Sequence, residues 1–341
     1  MQKGGLSAKK YFEQRRTTLS RNLGIMISKG KIAFCFSGQL RERLMLEELH
    51  PLRKDPHFKK WTERASLVTQ FDLLNFSLKG EEAETGFNLK LQISTYLLSM
   101  IHFHRLRTAG WVPDILAEHS MGIYAALAAS EAITFEEGLF ITESIGRLLE
   151  REGTLRRGGL AGIIGLPLGE IEKICHDLNG HHLSIANYNG SMQFVLSGEE
   201  EGVEKAISLA LSKKAISASR LPFDTALHSP SLLSLREEIQ DILKDIEIRP
   251  PKFPILNHWT VTPLRREEVK DFLSQEIGRP VYWDRCVERL IQEGVTQFIE
   301  VGHEATLTKL IRWIHREAEA FSAGEHPHFP PCHSELVSES T

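Results

Sequence analysis

The chain alternates short apolar runs with stretches of helical periodicity, the pattern of an α/β protein. Lys31-Ile-Ala-Phe-Cys-Phe36 is a continuous apolar run closed by Ser37-Gly38, which predicts a buried strand followed by a turn. Across 87–107, Leu91, Ile93, Tyr96, Leu97, Met100 and Ile101 recur at helical spacing. Gly110 and Pro113 interrupt the chain before a short strand at 114–117. That strand runs straight into His119-Ser120-Met121-Gly122 and a helix-forming stretch at 124–129. Strand, sharp turn and helix is the setting that holds a nucleophilic serine at the tip of a turn.

The middle of the chain has a different rhythm. Residues 161–165 read as a strand and 168–178 as a helix. Residues 183–188 and 193–197 form a hairpin around Asn189-Gly190, followed by a helix at 199–212 and a strand at 215–221. The order β-α-β-β-α-β is a self-contained ferredoxin-like unit. A strand at 253–256, helices near 266–277 and 283–294, and a strand at 297–301 then resume the α/β alternation. The expected architecture is an α/β-hydrolase-like core with a parallel sheet, in two segments (31–155 and 224–318), with a ferredoxin-like domain inserted at 156–223.

The two ends differ from this body. Residues 1–30 carry Lys3, Lys9, Lys10, Arg15, Arg16, Arg21 and Lys29 against one acid, Glu13, and lack a long apolar run. They read as a basic, disordered extension, either an organelle leader or a stretch ahead of a start at Met26. Residues 319–341 hold Pro327, Pro330 and Pro331 with little periodicity and read as a disordered tail.

Composition narrows the function classes. With 41% apolar residues in 341, the chain can bury a large core. A net charge of −4 does not call for a nucleic-acid partner, and no run of apolar residues is long enough for a membrane span. Cys35, Cys175, Cys286 and Cys332 show no CxxC spacing, so free thiols in a reducing, cytoplasmic setting are expected. No metal or cofactor is implied. His102, His104, His181 and His182 lack partnering Cys or carboxylate patterns and read as surface residues.

A serine hydroxyl needs a base within hydrogen-bond reach and donors for the oxyanion it creates. Ser120 at the strand-to-helix turn is the candidate nucleophile. On its tetrapeptide alone, a helix-capping serine is the commoner reading. His228, in Thr225-Ala-Leu-His228-Ser-Pro230, is the candidate base.

Taken in order, these segments resemble the malonyl-CoA:acyl carrier protein transacylases and the acyltransferase domains of polyketide synthases, over about residues 31–315. The family's F-P-G-Q-G loop is similar to Phe36-Ser-Gly-Gln39, and its helix glutamine to Gln92. Its G-H-S-L-G-E elbow is similar to Glu118-His-Ser-Met-Gly-Ile123, and its V-A-N-x-N hairpin to Ile185-Ala-Asn187-Tyr-Asn189. F-H-S-P is similar to Leu227-His-Ser-Pro230, N-P-V-x-W to Arg279-Pro-Val-Tyr-Trp283 and E-V-G-P to Glu300-Val-Gly-His303. The resemblance implies acyl transfer from an acyl-CoA, through an acyl-Ser120, to the phosphopantetheine thiol of an acyl carrier protein. It implies His228 as base, oriented by backbone carbonyls near Asn257, with the amides of Gln39 and Met121 as oxyanion donors. His119, Gln92 and Asn187 would shape the pocket.

The chain also departs from the pattern. Where malonyl-specific members carry an arginine, a gap-free reading lands on Ile145, unless a slip brings in Arg147 or Arg151. Glu118 replaces the elbow glycine and is expected to point outward or widen the turn. Ile123 replaces a glutamate and is expected to make the site more apolar. His303-Glu304 replaces Pro-Gly. Together these predict a neutral acyl group rather than malonyl, since isoleucine cannot hold a carboxylate bidentately. An acyl-carrier-protein hydrolase and a non-catalytic carrier-binding homologue are the alternatives. Arg151, Arg156, Arg157, Arg220, Arg279 and Arg285 are candidates to receive an acidic carrier protein.

Overall fold

A computed structural model of the chain describes residues 30–39, 56–69 and 87–325. The basic extension at 1–29 and residues 326–341 lie outside the described residues. The body is built on a five-stranded parallel sheet. Its strands are β1 (Lys31–Phe36), β2 (Ile115–Glu118), β7 (Ile255–Leu256), β8 (Val295–Val301) and β9 (Glu319–Ser322), in the order β7-β2-β1-β8-β9. β1 lies at the centre, with Phe36 opposite Glu118 on one side and Val301 on the other. Its unbroken apolar sequence follows from that position, because a central parallel strand is covered on both faces.

Side-chain alternation in β1 and β2 divides the core. Phe34, Phe36 and Leu116 face helices α2 (Phe87–Thr108), α3 (Gly122–Ala129) and α4 (Phe135–Leu155). Ala33, Cys35, Ile115 and Ala117 face α9 (Trp283–Gln292) and α10 (Thr306–Ile314), through Trp283, Val287, Leu290, Leu307 and Ile311. Helix α4 opens on a capping box. Thr134 accepts from the Glu137 amide at 3.1 Å, and the Glu137 carboxylate accepts from the Thr134 amide at 2.6 Å. Ile141, Ile145 and Leu149 then recur every four residues on its buried face.

The inserted unit forms a separate antiparallel sheet. It comprises β3 (Gly158–Ile164), α5 (Leu168–Asp177), β4 (Ser184–Gly190), β5 (Gln193–Glu199), α6 (Glu200–Ser212) and β6 (Ser217–Leu221), with strand order β4-β5-β3-β6. Ala161, Ile163, Phe194 and Leu196 turn toward α5 and α6 and pack on Ile171, Ile174, Val203 and Ala206. Leu160 and Val195, one residue out of phase, turn to the opposite face with Ala186 and Phe223. That second face lines the cavity described below.

Two expectations are corrected. The tail does not begin at 319: residues 319–322 are β9, paired in parallel with β8 from Gln297↔Glu319 to Glu300↔Ser322. A four-residue edge strand carries too little periodicity to be visible in sequence. The helix expected near 266–277 is broken into a 3-10 turn at Arg266–Glu268, a short α8 (Val269–Leu273) and a second 3-10 turn at Glu276–Gly278. No helix among the described residues is long and apolar enough to cross a membrane.

Candidate active site

Ser120 sits between β2 and α3 with φ 59°, a left-handed conformation that a side-chain-bearing residue rarely adopts. The turn is possible because Gly122 passes against β1. A Cβ there would lie 2.3 Å from the Phe36 carbonyl oxygen. His228 also has a left-handed backbone, φ 58°, and its amide donates to the Ile277 carbonyl at 2.7 Å. The two strained residues meet: Ser120 Oγ lies 2.7 Å from His228 Nε2.

The tautomer follows from the partners of the other ring nitrogen. His228 Nδ1 is 2.9 Å from the Arg279 carbonyl and 3.2 Å from the Glu276 carbonyl. Carbonyls only accept, so Nδ1 carries the hydrogen and Nε2 accepts from the serine. Burial, followed by the charge of the neighbouring His258, brings the pKa of His228 down to about 4. The ring is therefore neutral at physiological pH, as a general base must be. The carbonyls that orient it come from Glu276 and Arg279, which corrects the expectation of Asn257. Asn257 is buried and donates its side-chain amide to Thr260 and Thr262, holding its own loop.

Ser120 and His228 open into a cavity of ≈ 90 Å³ lined also by Gln39, Gln92, His119, Met121, Asn187 and Ile145. Six of the seven residues expected beside the dyad thus converge with it in one place, and Asn257 stands apart. His119 Nε2 donates to Asn189 Oδ1 at 3.1 Å, and its ring meets Trp283 edge-on. The far wall is apolar, made of Ile145, Leu149, Leu160, Val195, Leu221, Phe223 and Leu227. Among the described residues that line the cavity, none is Lys or Arg, while Glu276 and Glu304 are present. Arg147 instead reaches back to Glu143 at 2.7 Å, and Arg151 pairs with Glu238 at 2.8 Å, both at the surface. A register slip that would bring either into the pocket is not found.

Three further expectations change. Glu118 neither points outward nor widens the turn. It is fully buried and accepts from the His258 amide at 2.8 Å and from His258 Nδ1 at 2.6 Å. Ile123 does not line the cavity but sits in the first turn of α3 with its side chain in the core. His102 is not a surface residue: it is 2% exposed, and burial drives its pKa down to about 3.

Sequence reasoning missed a group packed behind His228. The His258 ring crosses His228 edge-on with centroids 5.9 Å apart. Burial opposes a charge on His258, but the Glu118 carboxylate outweighs it and raises the pKa. Tyr124 donates to Glu276 Oε1 at 2.7 Å, and burial pushes the Glu276 carboxyl up to about 7. Among the described residues, His228, His258 and Glu276 bring nitrogen and carboxylate atoms within 4.8 Å of one another. Both nitrogens of His228 are engaged by Ser120 and the two carbonyls, so the trio reads as a base with charged surroundings. Glutamate in place of glycine at the elbow was the one available signal of this group.

Comparison with known proteins agrees with the geometry. The model of the acyl transferase domain family matches residues 69–325. The polyketide biosynthesis malonyl CoA-acyl carrier protein transacylase PksC of Bacillus subtilis is 29% identical, over 77% of this chain and 91% of its own. The malonyl CoA-acyl carrier protein transacylase of the same organism is 25% identical, over 86% and 94%. Among solved structures, the malonyl CoA-acyl carrier protein transacylase of Coxiella burnetii superposes with TM-score 0.79 at 28% identity, covering 86% of this chain and 94% of that one. A type II polyketide malonyl-transacylase solved with its acyl-carrier protein gives TM-score 0.79 at 27% identity, over 87% and 98%. With its serine–histidine pair at the strand-to-helix elbow, the chain belongs to the acyl transferase domain family, the family of the malonyl-CoA:acyl carrier protein transacylases and polyketide acyltransferases.

Proposed function

We propose that the protein moves a short, neutral acyl group from an acyl-CoA to the phosphopantetheine thiol of an acyl carrier protein, through an ester on Ser120. In the first half-reaction Ser120 Oγ attacks the thioester carbonyl as its proton passes to His228 Nε2. The amides of Gln39 and Met121 receive the oxyanion, helped by the N-terminal end of α3. The carbon–sulfur bond breaks, and the CoA sulfur leaves with the proton from His228. In the second half-reaction the carrier thiol gives its proton to the same nitrogen and attacks the ester. Ser120 takes the proton back as its oxygen leaves. The Arg279 and Glu276 carbonyls keep the ring in the tautomer that both halves need.

The observation that carries this reading is the 2.7 Å Ser120–His228 contact at the mouth of an apolar cavity. A cavity of ≈ 90 Å³ has room for several waters and so for a short acyl chain. The choice of a neutral group rests on Ile145, which is 1% exposed on the cavity wall, and on the lack of a lining cation among the described residues. A carboxylate placed there unpaired would cost several kcal/mol, on the order expected for a buried ion. Both Bacillus subtilis relatives are named for malonyl, so this is where the chain departs from them.

The test is a mixture of acetyl-, butyryl- and malonyl-CoA offered to the protein, with the acyl-enzyme resolved by intact mass. Adducts of the neutral groups should dominate. Preferential malonylation would overturn the assignment of cargo. Rapid loss of the adduct in water without a carrier thiol would replace transfer by hydrolysis.

A further inference from the structure

The base of this enzyme has no carboxylate on its Nδ1, because two carbonyls occupy that position. Each half-reaction nevertheless makes a cation on His228 in a buried site, where an uncompensated charge is costly. The structure holds a carboxylate that can answer it. Glu276 Oε1 accepts from Tyr124, whereas Glu276 Oε2 is buried without a hydrogen-bond partner, and so is His258 Nε2. These two side chains and His228 converge within 4.8 Å. Behind them His258 is fixed twice by Glu118, from the strand that carries the nucleophile.

We propose that Glu118, His258 and Glu276 form a buried positioning relay for the base, in which the Glu276 carboxylate stabilises the imidazolium formed on His228 and the His258–Glu118 pair holds that carboxylate in place. This rests on the serine–histidine acyl transfer proposed above. Glu276 faces Tyr124 from α3, Glu118 from β2, His258 from the loop after β7 and His228 from the loop after β6. On its own segment, the Arg279 guanidinium is turned to Gln275 Oε1 and stacked 4.5 Å above Trp259. Cys286 of α9, whose thiol is turned to the Asn257 carbonyl, feels the Glu118 charge, and burial holds that thiol protonated. Glu118 and His258 lie behind the cavity, and Glu276 borders it but acts on the His228 ring rather than on the reacting carbonyl, so all three are positioning residues.

The relay predicts a pH dependence of defined sign. With the Glu276 carboxyl at about 7, it is neutral below that pH and charged above it. The acylation rate should therefore rise through pH 7. An anion about 5 Å from a full imidazolium, at an effective dielectric of about 20, bounds the acceleration at roughly 250-fold, and the partial charge present in the transition state supports roughly ten- to a hundredfold.

Glu276→Gln keeps the shape and the acceptor for Tyr124 but cannot ionise. Single-turnover acylation of Ser120 should match the wild type at pH 6, fall roughly ten- to a hundredfold below it at pH 8, and lose the rise through pH 7, with the acyl-CoA KM unchanged. Glu276→Asp should retain the rise. Independently of activity, the ¹⁵N signals of the His258 ring should show an inflection near pH 7 in the wild type that vanishes in Glu276→Gln. An unaltered rate profile and an unaltered His258 titration in a folded Glu276→Gln protein would overturn the relay. Failure of the wild type to acylate Ser120 would instead overturn the acyl-transfer reading, and the His258 titration would still decide the relay.

Discussion

Placing a guanidinium where Ile145 stands tests the cargo assignment at its source. Ile145 is 1% exposed on the buried face of α4, one residue before Gly146, whose missing Cβ leaves room for Gln92 Oε1 at 2.7 Å. Ile145→Arg would bring a cation to the apolar wall opposite Ser120. Two charged hydrogen bonds to a malonyl carboxylate are worth about 1.5–3 kcal/mol each, less the cost of desolvating both ions. A net gain of about 2–3 kcal/mol raises kcat/KM for malonyl-CoA relative to acetyl-CoA by roughly 30- to 150-fold. The empty variant should be less stable. It loses about 1.5–3 kcal/mol of buried apolar area and adds a charge, so its Tm should fall by roughly 5–10 °C. Malonyl-CoA should recover part of that fall. The assay is a competition of the two CoA esters followed by mass of the acyl-enzyme, beside melting curves with and without ligand. An unchanged malonyl-to-acetyl ratio in a folded variant would show that the pocket wall at 145 does not choose the acyl group.

Gly122→Ala should lower acylation at least tenfold and stability by about 3 kcal/mol, because its Cβ would meet the Phe36 carbonyl and push the elbow off β1. Acylation kinetics and thermal melting measure both. His102 gives a stability effect of the opposite origin. Its folded pKa, about 3, lies below the unfolded value near 6.5, so the unfolded chain binds the proton first. The contribution of the neutral ring is intact above pH 6.5 and is lost as pH falls toward 3. Between pH 7 and pH 4.5 the stability difference between wild type and His102→Leu should shift by roughly 2–3 kcal/mol in favour of the variant, read by denaturant titration. A difference independent of pH would contradict it.

Much of the frame was legible because it depends on local patterning. The β1 run, the elbow context of Ser120 and the β4–β5 hairpin each carry their period within a dozen positions, although the hairpin turns at Ser191-Met192 and not at the expected Asn189-Gly190, which end β4. The alternation that turns Leu160 and Val195 toward the cavity is also written in the strands, though only the fold shows what they face. The charged group behind His228 was signalled only by the elbow glutamate, and its partners were not legible. Glu118 and His258 are 140 positions apart, and nothing local to either announces the other. The orientation of His228 was legible in kind but not in place. Backbone carbonyls are the same on every residue, so the choice of Glu276 and Arg279 over Asn257 is made by the path of the 3-10 turn at Glu276–Gly278. Glu118 illustrates the common cause. Read alone at a tight turn it must avoid its neighbours, yet in the fold the sheet gives it an inward pocket and a cationic partner.

The central claim is covalent: an acyl group passes through Ser120. The most direct measurement is the intact mass of the protein after brief exposure to a neutral acyl-CoA, with Ser120→Ala alongside and the modified peptide sequenced. The account predicts one acyl group on Ser120, no adduct in Ser120→Ala, and discharge of the adduct by a carrier-protein thiol. An adduct that persists in Ser120→Ala, or that maps to another residue, would contradict it.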